Sequence, residues 1–198
     1  GNDLSKKHLD KMFAETRNKS AVVIGGGIGR ENSTLKTVLK YLKKIHIPAV
    51  IDADAIYAVA KDKSIIRPNH IITPHEHEFC VLTGINLKNL TTNQKIAAVR
   101  DSAKQLNCTI LLKGNPDIIS DGKNNAVNKT GNRFMTVGGT GDTLAGICGS
   151  LLAQGNSPFQ SACAAAYING RAGDIVAKKK KQAMLASDLI QAIPEVIA

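Results

Sequence analysis

Aromatic residues are scarce in this chain of 198 residues, which has no Trp, three Tyr and four Phe, or 4% in total. Proteins that bind single-stranded nucleic acids use aromatic side chains as stacking surfaces for the bases. A net charge of +10 favours acidic partners such as phosphates, yet the one dense basic run, 178–181, is typical of a solvated helix end. The composition therefore argues against a nucleic-acid partner.

The sequence also lacks any apolar run near the roughly 20 residues that cross a bilayer, so we expect no membrane partner. Its first 13 residues, GNDLSKKHLDKMF, are charged and amphipathic and lack the apolar centre of a secretory signal. The four cysteines are far apart and none forms a CxxC pair, which favours free thiols over disulfides or a metal site: Cys80, Cys108, Cys148 and Cys163. These features together favour a cytoplasmic location.

Short apolar runs alternate with stretches of helical periodicity along the chain. Strands are predicted at 21–25, 48–52, 70–73 and 109–113, and a hairpin at 117–120 and 126–128 turns at Asp121-Gly122. A first helix is predicted from a cap at Asn32 or Ser33 to residue 45. Further helices are predicted at 54–60, 75–82, 91–106, 143–152, 158–179 and 187–197, and the helix at 91–106 is expected to be capped by Thr92 or Asn93. Because the strands are apolar throughout, the pattern predicts an α/β domain whose mostly parallel sheet is covered on both faces.

The residues that follow the predicted strands are polar or glycine-rich. They are Gly25–Gly29, Asp52–Asp54, Thr73–Glu76 and Lys113–Gly114. Ligands of parallel α/β sheets bind beyond the carboxyl ends of the strands, where these residues would meet. The sequence therefore predicts a ligand site at one edge of the sheet.

The strongest local signal is the run Gly138-Gly139-Thr140-Gly141-Asp142, which opens a helix. Glycines leave backbone N–H groups free to point at an anion, and the helix N-terminus adds positive potential. Asp142 is either a general base for a substrate hydroxyl or simply a favourable helix starter. No Lys-Ser/Thr pair of a Walker A motif follows, which excludes a P-loop enzyme.

Three weaker signals leave alternatives open. The run GGGIGR at 25–30 fails the dinucleotide pattern GxGxxG in every register, so it is a close-approach loop or a tight structural turn. Lys113 at a strand end is either a phosphate ligand or a solvated side chain. His75 and Glu78 give too few ligands for zinc, and we predict no protein metal site; a helix start that binds a polar ligand fits better.

Taken together, five motifs resemble one family in content and in order: IGGGIG, VIDADAI, ITPHEHEFCVLTG, LLKGNPDIISDG and GNRFMTVGGTGDTLAGICGSLLAQG. The resemblance runs from about Ala21 to about Gly173 and is to the NAD(P)H-hydrate dehydratases of the ribokinase-like superfamily, especially archaeal or eukaryotic members. These form the C-terminal domain of bifunctional nicotinamide-nucleotide repair enzymes. The resemblance implies a three-layer α/β/α ribokinase-like fold, with residues 1–198 as a single domain that corresponds to the C-terminal portion of the full one.

The resemblance also implies an activity: ADP or ATP phosphorylates the hydroxyl of hydrated NADH or NADPH, and phosphate is then eliminated. Mg²⁺ would bridge the nucleotide phosphates, and Asp142 would be the catalytic base. The hydrate would be bound by Gly29, His75, Glu78, Phe79 and Asp142. The nucleotide would be bound by Lys113, Gly114, Asn115, Pro116, Asp117, Gly131, Asn132, Thr136, Gly138, Gly139, Thr140 and Gly141.

Two departures qualify the resemblance. The family usually has Gly-Pro-Gly-Leu-Gly where this chain has Gly25-Gly26-Gly27-Ile28-Gly29. The family domain also begins with a glycine-rich strand and an Ala-rich helix that nothing here matches, and the chain does not start with Met. We therefore expect an N-terminal segment or an epimerase domain of the same protein as a partner. We also expect a homo-oligomer, in which the Ala-rich helix after Pro158 packs closely against another helix. The alternative functions are a ribokinase-like kinase for a vitamin-type alcohol and a non-catalytic nucleotide-binding module.

Overall fold

The computed structural model describes residues 4–198, and six of its strands form one sheet in chain order. The first four strands are parallel and the last two form an antiparallel hairpin, as predicted. The strands are β1 (Val22–Ile24), β2 (Ala49–Ile51), β3 (His70–Ile72), β4 (Thr109–Leu112), β5 (Asp117–Ser120) and β6 (Asn125–Asn128).

Helices cover both faces of this sheet and complete the three layers. The helices are α1 (Leu9–Thr16), α2 (Asn32–Lys44), α3 (Asp54–Lys61), α4 (Glu76–Thr83), α5 (Thr92–Leu106), α6 (Thr140–Ala153), α7 (Pro158–Lys180) and α8 (Ala186–Ile197). Residues of α2 to α5 pack in one apolar core with one face of the sheet, and residues of α6 and α7 pack against the other. The three-layer α/β/α prediction is confirmed.

The strand side chains alternate between the two cores. In β2, Val50 packs with α6 and α7 whereas Ile51 packs with α2 to α5, and both are fully buried. In β4, Leu111 packs with α6 and α7 whereas Ile110 packs with α2 to α5. Full burial of each such side chain stabilises the fold by about 1.5–3 kcal/mol. This two-sided burial explains why the strands are apolar at consecutive positions.

Two predicted helix caps are wrong. Helix α2 begins at Asn32 with Glu31 in the capping position and without a side-chain cap, so neither Asn32 nor Ser33 is the cap. Helix α5 is capped by Thr91, not by Thr92 or Asn93. The Thr91 hydroxyl accepts a hydrogen bond from the Gln94 N–H (3.3 Å), and the Gln94 side chain accepts one from the Thr91 N–H (2.8 Å). This reciprocal pair requires the acceptor three residues after the cap, which only Thr91 satisfies.

The small residues of α7 pack inside the chain itself. Ala162, Ala165 and Ala166 lie in the core with α6, and Ala172 packs with α8. The basic run at the end of α7 is exposed, although Lys180 pairs with Asp188 at 2.6 Å. In residues 4–198 all four cysteines are free, and no helix there is long and apolar enough to cross a membrane.

His70 is a buried titratable group at the start of β3. Its Nδ1 accepts a hydrogen bond from the Arg67 N–H (3.3 Å), and no group among residues 4–198 pairs with its Nε2. Burial, together with the charge of Arg67, lowers the pKa of His70 to about 4. The folded chain therefore keeps this imidazole neutral where an unfolded chain would protonate it.

We predict an acid-dependent loss of stability that originates at His70. Between its unfolded pKa near 6.5 and its folded pKa near 4, the unfolded state binds a proton that the folded state does not. The free energy of unfolding should therefore fall by about 2.5 kcal/mol from pH 7 to pH 4.5 on account of this group. His70→Asn, which keeps an acceptor for Arg67, should remove most of that fall in urea denaturation measured at both pH values.

The exposed His46 provides the control, because His46→Asn should leave the difference between the two pH values as it is in the unmodified chain. An unchanged fall in His70→Asn would show that another group causes the acid sensitivity.

Candidate functional site

A buried ion pair joins the carboxyl ends of three neighbouring strands. Asp52 follows β2, Thr73 follows β3 and Lys113 follows β4. One carboxylate oxygen of Asp52 accepts hydrogen bonds from the Thr73 hydroxyl (2.7 Å) and the Lys113 ammonium (2.8 Å). Because the Asp52 side chain is only 4% exposed, these two donors stabilise its negative charge in place of water. The pairing fixes the Lys113 ammonium over the edge of the sheet.

His75 and Glu78 form the N-terminal cap of α4 beside this ion pair. The His75 Nδ1 accepts the N–H groups of His77 (3.1 Å) and Glu78 (3.2 Å), and Glu78 Oε2 accepts the His75 N–H (2.9 Å). Because Nδ1 is an acceptor, the neutral ring carries its proton on Nε2, which lies 3.3 Å from Glu78 Oε1. The Glu78 carboxylate also lies 3.8 Å from Lys113. His75 is therefore held as a hydrogen-bond donor.

The glycine-rich turn at the start of α6 has the geometry of an anion site. Gly139 adopts a φ of +93°, which L side chains rarely adopt, and it is the cap from which the helix begins at Thr140. The Thr140 hydroxyl bonds to the carbonyl oxygens of Met135 (2.8 Å) and Val137 (3.0 Å), so it fixes the preceding loop. A Cβ at Gly141 would lie 3.7 Å from the Lys113 ammonium. Backbone N–H groups, helix dipole and Lys113 thus converge on one place.

Asp142 lies in the first turn of α6 with an exposed side chain. No donor among residues 4–198 forms a hydrogen bond or ion pair with its carboxylate. A Cβ built on Gly26 would come within 2.5 Å of Asp142 Oδ1, so the loop after β1 lies directly against this carboxylate. The structure leaves the Asp142 carboxylate open to accept a hydrogen bond from a ligand.

A cavity of about 650 Å³ opens beside the turn and collects most of the predicted nucleotide residues. Pockets of this size accommodate small cofactors and nucleotides. Pro116, Gly138 and Gly139 do not line it but adjoin residues that do. The predicted residues on its wall are His75, Lys113, Gly114, Asn115, Asp117, Gly131, Asn132, Thr136, Thr140 and Gly141.

Asp117 is the acidic residue of this wall. Its oxygens accept hydrogen bonds from the Gly114 N–H (2.9 Å) and the Asn128 amide (3.0 Å). Burial raises the pKa of Asp117, and the hydrogen bonds and the charge of Lys113 oppose that rise. Asp117 therefore fixes the loop 114–116 rather than offering an open charge to the cavity.

Two residues of α7 that were not predicted as site residues, Gly170 and Asp174, support the cavity. Asp174 accepts hydrogen bonds from the Gly131 N–H (3.2 Å) and the Asn132 side-chain amide (3.1 Å). One turn earlier, a Cβ at Gly170 would come within 2.1 Å of the Thr130 hydroxyl oxygen and 2.7 Å of its carbonyl carbon. Gly170 and Asp174 are four residues apart and therefore lie on the same face of a helix, which is the sequence signal that could have identified them.

The structure does not bring the predicted hydrate residues together in one cavity. The Gly29 N–H donates to Asp54 Oδ2 (3.0 Å), which fixes the end of the glycine loop. Glu78 lies beside Lys113, as described above, whereas Phe79 is fully buried in the core. Phe79 therefore supports α4 from below and has no surface that a ligand could reach.

Two further grooves are mainly apolar, and the first runs beside β1, an edge strand of the described sheet. The first, the α1–β1 groove, has a volume of about 530 Å³ and is lined by Met12, Val23 and Tyr41 among others. The second, the α6–α8 groove, has a volume of about 690 Å³ and extends from Asp142 along Ile147 to Ile190. Substantial apolar surface therefore lies next to the candidate base.

The sheet and this site together define a ribokinase-like α/β protein: parallel strands, an antiparallel hairpin, and a glycine-rich anion turn that starts a helix with an aspartate. A family model described as NAD(P)H-hydrate dehydratase matches residues 2–195. The chain belongs to the NAD(P)H-hydrate dehydratase family.

Similar proteins support the assignment. The bifunctional NAD(P)H-hydrate repair enzyme of Methanocaldococcus jannaschii is 40% identical over 197 residues, which cover 100% of this chain and 37% of that protein. The ADP-dependent (S)-NAD(P)H-hydrate dehydratase of Nitrosopumilus maritimus is 36% identical, covering 98% of this chain and 68% of that protein.

Among solved structures, the ADP/ATP-dependent NAD(P)H-hydrate dehydratase of Bacillus subtilis, co-crystallised with ATP/Mg²⁺ and soaked with CoA, matches with a TM-score of 0.75 and 26% identity. The match covers 89% of this chain and 65% of that one. The chain thus spans little more than a third of the length of the bifunctional relative from Methanocaldococcus jannaschii.

We predict that Gly170→Ala distorts the nucleotide cavity. The added methyl group would overlap the Thr130 backbone and push the adjoining Gly131 loop off its contacts with Asp174. Overpacking of this kind costs about 1–3 kcal/mol in unfolding free energy. Calorimetric titration with ADP should show affinity reduced about tenfold or more, as expected when a binding loop is displaced.

The matched control is Gly146→Ala on α6, where a Cβ would meet nothing within 4 Å among the described residues. That variant should bind ADP normally and gain up to about 1 kcal/mol of stability. Equal ADP affinities in the two variants would contradict the role assigned to Gly170.

Proposed function

We propose that this chain carries the dehydratase activity of an NAD(P)H-hydrate repair enzyme. It would use ADP or ATP to phosphorylate the hydroxyl of hydrated NADH or NADPH and then release phosphate, which restores the reduced cofactor. The observation that carries the proposal is the convergence of the α6 N-terminus, Lys113 and Asp142 beside the 650 Å³ cavity. The names of the relatives above agree with this activity.

The nucleotide occupies the 650 Å³ cavity in this proposal. Its transferable phosphate lies at the turn 138–141, where the free N–H groups at the start of α6 and the Lys113 ammonium stabilise the added negative charge. The loops fixed by Asp117 and Asp174 contact the rest of the nucleotide. Because these loops are held by hydrogen bonds before the ligand arrives, binding requires little reorganisation.

Asp142 accepts the proton of the substrate hydroxyl in the first step. The hydroxyl oxygen then bonds to the terminal phosphorus, the bond from that phosphorus to the bridging oxygen breaks, and ATP leaves as ADP or ADP as AMP. In the second step the carbon–oxygen bond of the phosphate ester breaks, a neighbouring carbon loses a proton, and the ring double bond forms. The products are inorganic phosphate and NADH or NADPH.

In this proposal Mg²⁺ would arrive with the nucleotide. Among residues 4–198 no group of three or more His, Cys, Asp or Glu side chains is arranged to hold a metal. Mg²⁺ in nucleotide enzymes keeps several waters and is held largely by the substrate phosphates. Bound there, the ion would neutralise phosphate charge, and Lys113 would continue that neutralisation from the protein side.

We also propose a partner and a location for the chain. The unpaired edge of β1 in the described sheet and the α1–β1 groove beside it suit further secondary structure, supplied by an N-terminal segment or an epimerase domain of the same protein. The exposed Ile190 and Ile197 of α8 suit a homo-oligomer contact. The free thiols favour the reducing cytoplasm.

The function is tested by recovery of the reduced-nicotinamide absorbance from hydrated NADH in the presence of Mg²⁺ and either ADP or ATP. The assay is run on this chain and on a longer form that includes the proposed N-terminal partner. Nucleotide-dependent recovery with one free phosphate per cofactor supports the dehydratase. A phosphorylated product without free phosphate would instead identify a small-molecule kinase, and nucleotide binding without turnover of either kind would identify a binding module.

We predict that Asp142→Asn abolishes turnover and spares nucleotide binding. Loss of a general base lowers kcat by about 10²–10⁴-fold, whereas the N–H groups and Lys113 that contact the phosphate remain. Absorbance recovery measures the first effect and calorimetric titration with ADP the second.

Asp10→Asn is the matched control, because Asp10 is likewise an exposed aspartate in the first turn of a helix. It should retain full activity. Turnover that survives in Asp142→Asn would contradict the assignment of the base.

A further inference from the structure

Arg30, which ends the glycine loop after β1, is held in a fixed orientation by two neighbours. Its Nε donates to Asp54 Oδ1 at 2.6 Å, and its guanidinium carbon lies 3.9 Å from the centre of the Tyr57 ring. The other oxygen of Asp54 accepts the Gly29 N–H, so loop and side chain are fixed together. A guanidinium held at Nε and stacked on a ring loses little further freedom when it binds a ligand.

The two terminal nitrogens of this guanidinium remain available. No acceptor among residues 4–198 takes a hydrogen bond from either of them, and the Arg30 side chain is 53% exposed. They offer a planar pair of donors in the geometry that suits a phosphate. Asp54 contacts the guanidinium only at Nε, so the edge formed by the two terminal nitrogens stays open.

Arg30 lies on the substrate side of the rim rather than on the nucleotide side. Its loop reaches Asp142 at Gly26, and none of residues 25–30 lines the nucleotide cavity. The hydrogen bond to Asp54 also raises the pKa of Arg30, so the guanidinium keeps its positive charge. Lys113 and the α6 N-terminus serve the nucleotide phosphates from the other side.

We propose that Arg30, oriented by Asp54 and Tyr57, forms a second anion subsite that binds a phosphate group of the dinucleotide substrate. The inference rests on the proposed function for the identity of that substrate. The dinucleotide carries phosphate in its pyrophosphate bridge and, in the NADPH form, also on the adenosine ribose. The shared chemistry is a phosphate oxyanion, and substrates that differ in these groups distinguish the source.

The first experiment compares Arg30→Gln with the unmodified full-length protein in the absorbance-recovery assay. The substrates are hydrated NADPH, hydrated NADH and hydrated reduced nicotinamide mononucleotide. We expect KM to rise about tenfold or more for a substrate whose phosphate contacts Arg30, with kcat changed less than twofold and the KM for ADP unchanged. A rise for hydrated NADPH alone assigns the ribose phosphate. A rise for both dinucleotides assigns the bridge, and the mononucleotide shows whether the phosphate nearest the nicotinamide ribose is the one bound.

Arg100→Gln is the matched control. Arg100 is also an exposed arginine whose Nε pairs with an aspartate, Asp101 at 2.9 Å, but it lies on α5 away from the rim. It should change no kinetic constant. Arg30→Lys, which keeps the charge and loses the planar donor pair, should fall between Arg30→Gln and the unmodified protein. A merely structural Arg30 would instead lower kcat and raise the KM for ADP as well.

A binding measurement separates this proposal from the proposed function. NADPH binding is followed by its fluorescence without any turnover, in the unmodified protein, Arg30→Gln and Arg100→Gln. Weaker binding in Arg30→Gln alone supports the subsite even if the protein proves not to be a dehydratase. Equal affinities in the three proteins, with KM unchanged for all three substrates, would overturn the proposal whatever the enzyme's activity.

Discussion

The buried ion pair between Asp52 and Lys113 is the constraint on which the site depends. An uncompensated charge on the buried Asp52 carboxylate would be strongly unfavourable, so Asp52 requires Lys113, and the Thr73 hydroxyl donates a further hydrogen bond to it. The pair spans from β2 across β3 to β4 and thereby locks the relative positions of three loops. It also places one ammonium group under Gly141, where α6 begins. The anion turn and the sheet edge are in this way parts of one electrostatic arrangement.

Much of the fold could be predicted because its signals are local. Consecutive apolar residues in β2 and β4 already indicate burial on both sides, and three glycines before Asp142 already indicate a helix start with free N–H groups. The ion pair between positions 52 and 113 could not be predicted in the same way, because it depends on strand register and on the depth of each loop. The support that Asp174 gives to Gly131 is a similar case, because the partners are 43 positions apart in the sequence.

Phe79 shows how a step of one residue along a helix decides between a ligand contact and the core. Its neighbour Glu78 caps α4 and faces Lys113, whereas Phe79, about 100° further around the helix, points into the apolar layer. Motif resemblance treats both as one block and cannot separate them. The tertiary structure decides which side chain faces the core, because α4 packs its apolar side against α3 and the sheet.

The exposure of Asp142 has a consequence for the fate of the nucleotide. A carboxylate open to solvent beside a phosphate turn is as accessible to a water molecule as to a substrate hydroxyl. In the proposed reaction, transfer of the phosphoryl group to water would hydrolyse the nucleotide without repairing a cofactor. The α6–α8 groove begins at this same side chain and is mainly apolar. An apolar partner that covered this groove would exclude water from Asp142 and favour transfer to the substrate hydroxyl.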